Sequence, residues 1–147
     1  MAHQIDKSAL VMHSAERMFA LVNDIARYPE FLPWCAGAEV HQHGGSELTA
    51  SLEVARGGIR HRLTTRNDLI APSSIDMKLI DGPFQNLRGR WDFQPLDEKA
   101  CKVVLRLEFE FSGTLSRMTF GPVFSQAANT MVDAFCRRAD DVYSRQR

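Results

Sequence analysis

The stretch VVLRLEFEF at residues 103–111 and the stretch GPVFSQAANTMVDAFCRRADDVY at residues 121–143 decide the fold of this chain. In the first, apolar side chains alternate with Arg106, Glu108 and Glu110, which is the period of a β-strand with one dry and one wet face. In the second, apolar residues recur at helical spacing, which predicts an amphipathic helix of about 20 residues or more. One long helix covering the dry face of an antiparallel sheet satisfies both patterns.

The remainder of the chain is dominated by the same two-residue period. Residues 3–12 predict a first strand, and four central segments alternate between apolar and polar side chains, at residues 48–54, 59–66, 75–79 and 87–94. Between the first strand and these segments, Ser14 is a good N-cap for a short helix. A second short helix is expected from Asp24 to Leu32, broken by Pro29 and stopped by Pro33.

Two glycine pairs predict how neighbouring strands align. Gly57-Gly58 favours a two-residue hairpin, because primed turns need positive φ at both positions. This turn places Leu52 opposite Leu63 and Arg56 opposite Ile59, so the dry faces of both strands coincide. At Gly44-Gly45 we expect a three-residue loop from His43 to Gly45 with a glycine bulge, which aligns Val40 with Leu48.

Composition excludes several classes of protein. The 147 residues carry 18 Lys+Arg and 18 Asp+Glu, a formal net charge of zero. This charge argues against bulk electrostatic attraction to nucleic acid, DNA included, or to an anionic membrane, and it leaves a local charged patch open. No apolar run approaches the ~20 residues of a membrane span, and no secretory signal is evident. The length favours one domain over residues 1–147.

Cysteine and histidine usage predicts a cytoplasmic protein without a metal. Cys35, Cys101 and Cys136 are scattered and form no Cys-x-x-Cys pair, which indicates reduced thiols. His41 and His43 share a strand face, but two imidazoles are fewer than the three or four ligands that zinc requires.

Several motifs, in order along nearly the whole chain, carry a family resemblance. They are YPEFLPWC at residues 28–35, DGPF at 81–84, LRGRWDF at 87–93, LEFEF at 107–111 and FG at 120–121. The chain resembles the coenzyme Q-binding START-like family of the polyketide cyclase and lipid transport superfamily, and within it the bacterial ribosome association toxin group. The resemblance implies an α+β helix-grip fold, a curved antiparallel sheet wrapped around a long C-terminal helix, with two short helices after the first strand.

The first functional hypothesis is a cavity between the sheet and the helix that binds a hydrophobic ligand without catalysing a reaction. The resemblance implies a ubiquinone-like lipid, bound in support of respiration and with no further cofactor. His61 and Thr65 would donate hydrogen bonds to the quinone, and Asn67 is the next inward position. A densely packed core is the open alternative. The predicted lining is Leu52, His61, Leu63, Thr65, Leu79, Trp91, Phe93, Leu105, Leu107, Phe109, Phe124, Ala128, Met131 and Phe135.

The second hypothesis is association with the ribosome. The resemblance implies a toxin of a type II toxin–antitoxin system that binds the large ribosomal subunit and blocks subunit joining. Guanidinium groups at alternate strand positions suit RNA phosphates. A solvated face paired with Glu53, Glu108 and Glu110 is the open alternative. The arginines concerned are Arg56, Arg60, Arg62, Arg66, Arg88 and Arg90.

The third hypothesis is an enzyme, a polyketide cyclase or aromatase. Such a site needs a general acid or base in the cavity, and His61 is almost the only inward-facing residue that titrates. The sequence shows no Ser–His–Asp signature, no phosphate-binding glycine loop and no paired inward carboxylates. We therefore expect a protein that is not an enzyme.

Overall fold

The elements of the chain follow the periodicities of its sequence. The computed structural model describes residues 3–143. In chain order the elements are β1 (His3–Val11), α1 (Ala15–Asn23), a 3-10 helix (Ile25–Glu30), β2 (Cys35–Gly44), β3 (Glu47–Arg56), β4 (Ile59–Ile70), β5 (Ser74–Asp81), β6 (Phe84–Asp97), β7 (Ala100–Phe111), α2 (Thr114–Thr119) and α3 (Gly121–Tyr143).

The described strands form one curved antiparallel sheet with α3 against its inner face. The strand order is β1-β7-β6-β5-β4-β3-β2, so β2 to β7 are consecutive neighbours and β1 returns to pair with β7. The ring of Phe135 on α3 meets Trp91 edge-on with centroids 5.4 Å apart, and Phe124 meets Phe109 at 4.9 Å. These contacts confirm the predicted helix-grip architecture.

The hairpin between β3 and β4 has the predicted register. Arg56 pairs with Ile59 and Leu52 pairs with Leu63. Gly57 and Gly58 have φ of 57° and 84°, in the left-handed region that residues with a Cβ atom rarely adopt.

The β2–β3 hairpin contradicts the prediction. Its turn is a two-residue loop, Gly45-Ser46, and Val40 lies opposite Ala50 instead of Leu48. The extra residue is His41, which bulges inside β2 between Val40 and Gln42. The bulge shifts the register by one residue within the strand, so no glycine bulge is needed at the turn.

The two short elements after β1 position the C-terminal end of α3. Ser14 caps α1, with its hydroxyl accepting from the Arg17 amide at 3.1 Å. The second predicted helix is present as a 3-10 helix that contains Pro29, which fits because the ring fixes φ near the helical value. The Tyr143 hydroxyl donates to the Arg17 carbonyl at 2.8 Å, which holds α3 against α1.

Helix α2 was absent from the sequence prediction. None of its six residues is buried, and Leu115 and Met118 are exposed to 76% and 70%. Sequence periodicity could not reveal it, because such periodicity reports burial of one face. It precedes Phe120, which is fully buried where α3 begins.

Candidate functional site

A small apolar cavity lies between the inner face of the sheet, the 3-10 helix and α3. Its volume is about 80 Å³. The predicted lining residues that border it are Leu52, Leu63, Thr65, Trp91, Leu105, Leu107, Phe124, Ala128 and Met131, together with Asn67.

The other predicted lining residues pack beside this cavity and do not border it. They are His61, Leu79, Phe93, Phe109 and Phe135. The aromatic members are held by other rings: Phe93 lies between Phe19 and Trp91, with centroids 5.8 and 6.2 Å away. The His61 ring lies 4.7 Å from the Phe120 ring, near the start of α3. Packing of aromatic side chains against one another therefore fills part of the space that the sequence pattern assigned to the cavity.

Several lining residues were missed by the sequence prediction. The strand residues among them lie at inward-facing positions of the two-residue period, which was the signal that could have identified them. The residues from the 3-10 helix and the loop after it carried no such signal, because only tertiary docking brings them inward. The missed residues are Ile25, Tyr28, Trp34, Ala50, Val54, Met77, Leu87 and Ala127.

The side chains of Thr65, Asn67 and Tyr28 in the wall of the cavity are neutral and hydrogen-bonded. The Thr65 hydroxyl donates to the side-chain oxygen of Asn67 at 3.0 Å, and Asn67 is buried. The Tyr28 hydroxyl donates to the carbonyl of Val22, and burial raises the pKa of Tyr28 far above its ordinary value. The described lining thus offers hydrogen bonds but no group that exchanges a proton near neutral pH.

The volume of the cavity limits what it can hold in this conformation. Sites for drug-sized ligands enclose roughly 300–1,000 Å³, several times the 80 Å³ found here. The interior is therefore close to the densely packed core that was the alternative to a ligand cavity. A prenylated quinone would enter only if α3 and the sheet moved apart.

Five of the predicted RNA-facing arginines lie on the outer face of the sheet, and each is paired with a carboxylate. Because arginines and carboxylates alternate on this face, their charges largely cancel and the net electrostatic field of the face is small. The observed pairs are Arg60 with Glu53 (3.3 Å), Arg62 with Glu39 (3.1 Å), Arg66 with Glu47 and Asp68 (3.6 Å each), Arg88 with Glu108 (3.2 Å) and Arg90 with Asp76 (3.1 Å) and Asp92 (3.0 Å).

Arg56 does not belong to that group, which corrects the sequence-based grouping. It has the same strand parity as the buried Val54, since Val54 pairs with His61 and Arg56 pairs with Ile59. Because alternate residues point to opposite faces, Arg56 lies on the α3 side of the sheet. There it lines a surface groove beside α3.

Two further features bear on the class of site. Between residues 3 and 143 no three His, Cys, Asp or Glu side chains cluster as metal ligands would. His41 instead bonds to the Ser51 hydroxyl at 2.7 Å. No helix within the same residues is both long and apolar enough to cross a membrane.

The helix-grip fold with an apolar interior defines a START-like domain, and comparison with known proteins specifies its family. A family model described as polyketide cyclase/dehydrase and lipid transport matches residues 11–136, and the chain belongs to this family. The chain is similar to the crystal structure of the Zhui aromatase/cyclase from a Streptomyces species, with a TM-score of 0.83, 17% identity, and coverage of 95% of this chain and 94% of that one. At that identity the likeness concerns the fold.

Two curated relatives refine the comparison and confirm the resemblance seen in the motifs. The ribosome association toxin RatA of Pseudomonas aeruginosa is 51% identical over 97% of this chain and 99% of its own length. The mitochondrial coenzyme Q-binding protein COQ10 of Drosophila melanogaster is 27% identical over 93% of this chain and 55% of its own length.

Proposed function

We propose that this protein associates with the large ribosomal subunit and blocks its joining with the small subunit. The observation that carries the proposal is the 51% identity, over nearly the full length of both chains, to a protein named for ribosome association. The proposal places the protein in the cytoplasm, where ribosomal subunits join. It needs a surface that recognises the subunit, and it makes no demand on the small interior cavity.

Sedimentation with separated subunits tests this function. Purified protein is mixed with isolated large or small subunits at moderate salt and run through a sucrose gradient. We expect the protein to travel with the large subunit and to stay at the top of the gradient with the small one. Protein that stays at the top with both subunits would contradict the proposal.

A hydrophobic ligand in the interior is the second candidate function. It is supported by the apolar lining of the cavity, by the hydrogen-bonded pair Thr65 and Asn67 in its wall, and by the distant coenzyme Q-binding relative. It ranks second because a volume of about 80 Å³ does not hold a prenylated quinone unless the interior opens.

Lipid extraction tests the second candidate with a matched pair of variants. Ala128→Leu adds bulk inside the cavity, whereas Ala134→Leu makes the same change on α3 outside it. If a quinone binds inside, mass spectrometry of extracts finds it in the wild type and in A134L, and at a reduced level in A128L. Extracts of the wild type without quinone, after expression in cells rich in it, would contradict ligand binding.

No specific observation within the described residues supports the cyclase hypothesis. His61 lies against Phe120 instead of bordering the cavity, and Tyr28 keeps its proton at neutral pH. General acid–base catalysis inside this cavity therefore lacks a group that titrates in the working range.

A further inference from the structure

A groove of about 380 Å³ runs along the outside of α3, next to the interior cavity but open to solvent. One wall is the loop after the 3-10 helix, with Phe31, Pro33 and Trp34, and the other is the exposed flank of α3. Trp34 and Ala127 border both the groove and the cavity and therefore separate them. The groove thus has an apolar floor beside a polar rim.

The rim of the groove carries two arginines that have no ion-pair partner within the described residues. Arg56, from the end of β3, and Arg137, on α3, line the groove, and neither forms an ion pair with any residue between 3 and 143. Both are exposed, so their charge is available to a partner. Asp141 is the one carboxylate among the lining residues.

A third arginine is held in place at the same rim. The Arg138 guanidinium lies 4.9 Å above the Phe31 ring, and its Nη2 donates to Glu30 at 2.9 Å. Its Nε is buried and has no hydrogen-bond partner within the described residues. The contacts with Phe31 and Glu30 therefore hold the Arg138 side chain in one orientation at the rim.

The chemistry of the groove fits a nucleic acid strand with accessible bases. Guanidinium groups bind phosphate oxygens through paired donors, and an apolar or aromatic floor supports a base by stacking. The arginines of the outer sheet face have charges that are matched by carboxylates. The one aromatic side chain seen to contact them within residues 3–143, the imidazole of His41, is already engaged by Arg62 at 3.3 Å and by Ser51 at 2.7 Å. A base-paired helix would not place bases in such a groove, since its bases are stacked inside.

We propose that this groove binds a single-stranded segment of ribosomal RNA, with Arg56 and Arg137 on its phosphates and a base over the apolar floor. The inference rests on the proposed association with the large subunit and names the surface that performs it. The outer-face arginines then contribute little to binding.

Binding of wild type and variants to purified large subunits tests the inference. The groove variant is Arg56→Gln with Arg137→Gln, and the matched control is Arg60→Gln with Arg62→Gln on the outer face. We expect the groove variant to bind at least tenfold more weakly and its log–log salt slope to be shallower by about 0.7 for each lost phosphate contact. The control should bind within about threefold of the wild type. All exchanged arginines are exposed, so both variants are expected to fold, and thermal unfolding checks this.

Crosslinking identifies the chemistry of the partner. A photoreactive benzoylphenylalanine replaces Thr130, which lines the groove, or Thr49 on the outer face. The inference predicts a crosslink from position 130 to ribosomal RNA and none from position 49. A crosslink from position 130 only to ribosomal protein, or equal binding by wild type and groove variant, overturns it while the wild type still binds the subunit. Absence of binding by the wild type contradicts the proposed function itself.

Discussion

The two faces of the sheet are formed by the same strands but differ in chemistry, because the inner face is apolar and buried and the outer face is charged and solvated. The inner face buries Trp91, Phe93 and Leu105 almost completely, and close packing beneath α3 leaves about 80 Å³ unfilled. The outer face is wet, and its arginines are matched by carboxylates on neighbouring strands. The inner face therefore supplies stability, whereas the outer face supplies solubility with little net charge. Two arginines without an ion-pair partner within residues 3–143, Arg56 and Arg137, lie instead beside α3.

The largest expected effect on the free energy of unfolding comes from truncating the side chain of Trp91 on the inner face. Its ring is stacked on Phe93 and meets Phe135 edge-on. Trp91→Ala should lower the free energy of unfolding by about 3–5 kcal/mol, because it removes buried area and leaves a cavity. Urea denaturation measures the loss, and Trp91→Phe is the milder control. A loss below about 1 kcal/mol would show that α3 does not pack tightly on the sheet.

A smaller effect is expected from the buried thiols on the inner side. Burial raises the pKa of Cys35 and of Cys101 to about 11. As pH rises above 9, the unfolded chain releases these protons before the folded chain does, so stability falls between pH 9 and 11. One pKa unit corresponds to about 1.4 kcal/mol, so a loss on the order of 1 kcal/mol or more is expected by pH 10.

A variant isolates the contribution of the thiols from that of other groups that titrate in alkali. The double exchange Cys35→Ala and Cys101→Ala should flatten this part of the curve of unfolding free energy against pH. An unchanged slope in the variant would indicate that neither thiol is shielded from water. Slow reaction of both thiols with a disulfide reagent at pH 8 is an independent sign of the same burial.

The smallest effect is expected on the outer face. The pair of the exposed Arg88 with the half-buried Glu108 spans 3.2 Å. Arg88→Ala should lower the free energy of unfolding by less than about 1 kcal/mol, because solvent screens such pairs. The difference should shrink further in high salt. A loss comparable to that of Trp91→Ala would contradict the distinction between the two faces.

The sequence predicted most of the fold because alternation and turn chemistry are local. Gly57-Gly58 determined the register of β3 and β4, and that register already placed Arg56 on the side of Val54. Grouping Arg56 with the other arginines by spacing alone overlooked this consequence. The bulge at His41 could not be predicted, because a bulge inside a strand has no residue type that marks it.

The candidate site was less predictable than the fold. Inward parity identified strand residues such as Leu63 and Thr65, but the size of the cavity depends on how rings pack in three dimensions. The carboxylate partners of the arginines come from neighbouring strands, as Glu39 does for Arg62, twenty-three positions away in the chain. Their pairing therefore emerges only when all registers are known.

The most direct test of the proposed function is subunit joining followed by light scattering. Large subunits are incubated with the wild-type protein, small subunits are added, and the rise in scattering reports assembled ribosomes. We expect the wild type to suppress this rise in a dose-dependent way and the variant R56Q/R137Q to suppress it much less. An unchanged rise at saturating wild-type protein would contradict the central claim that the protein blocks joining of the subunits.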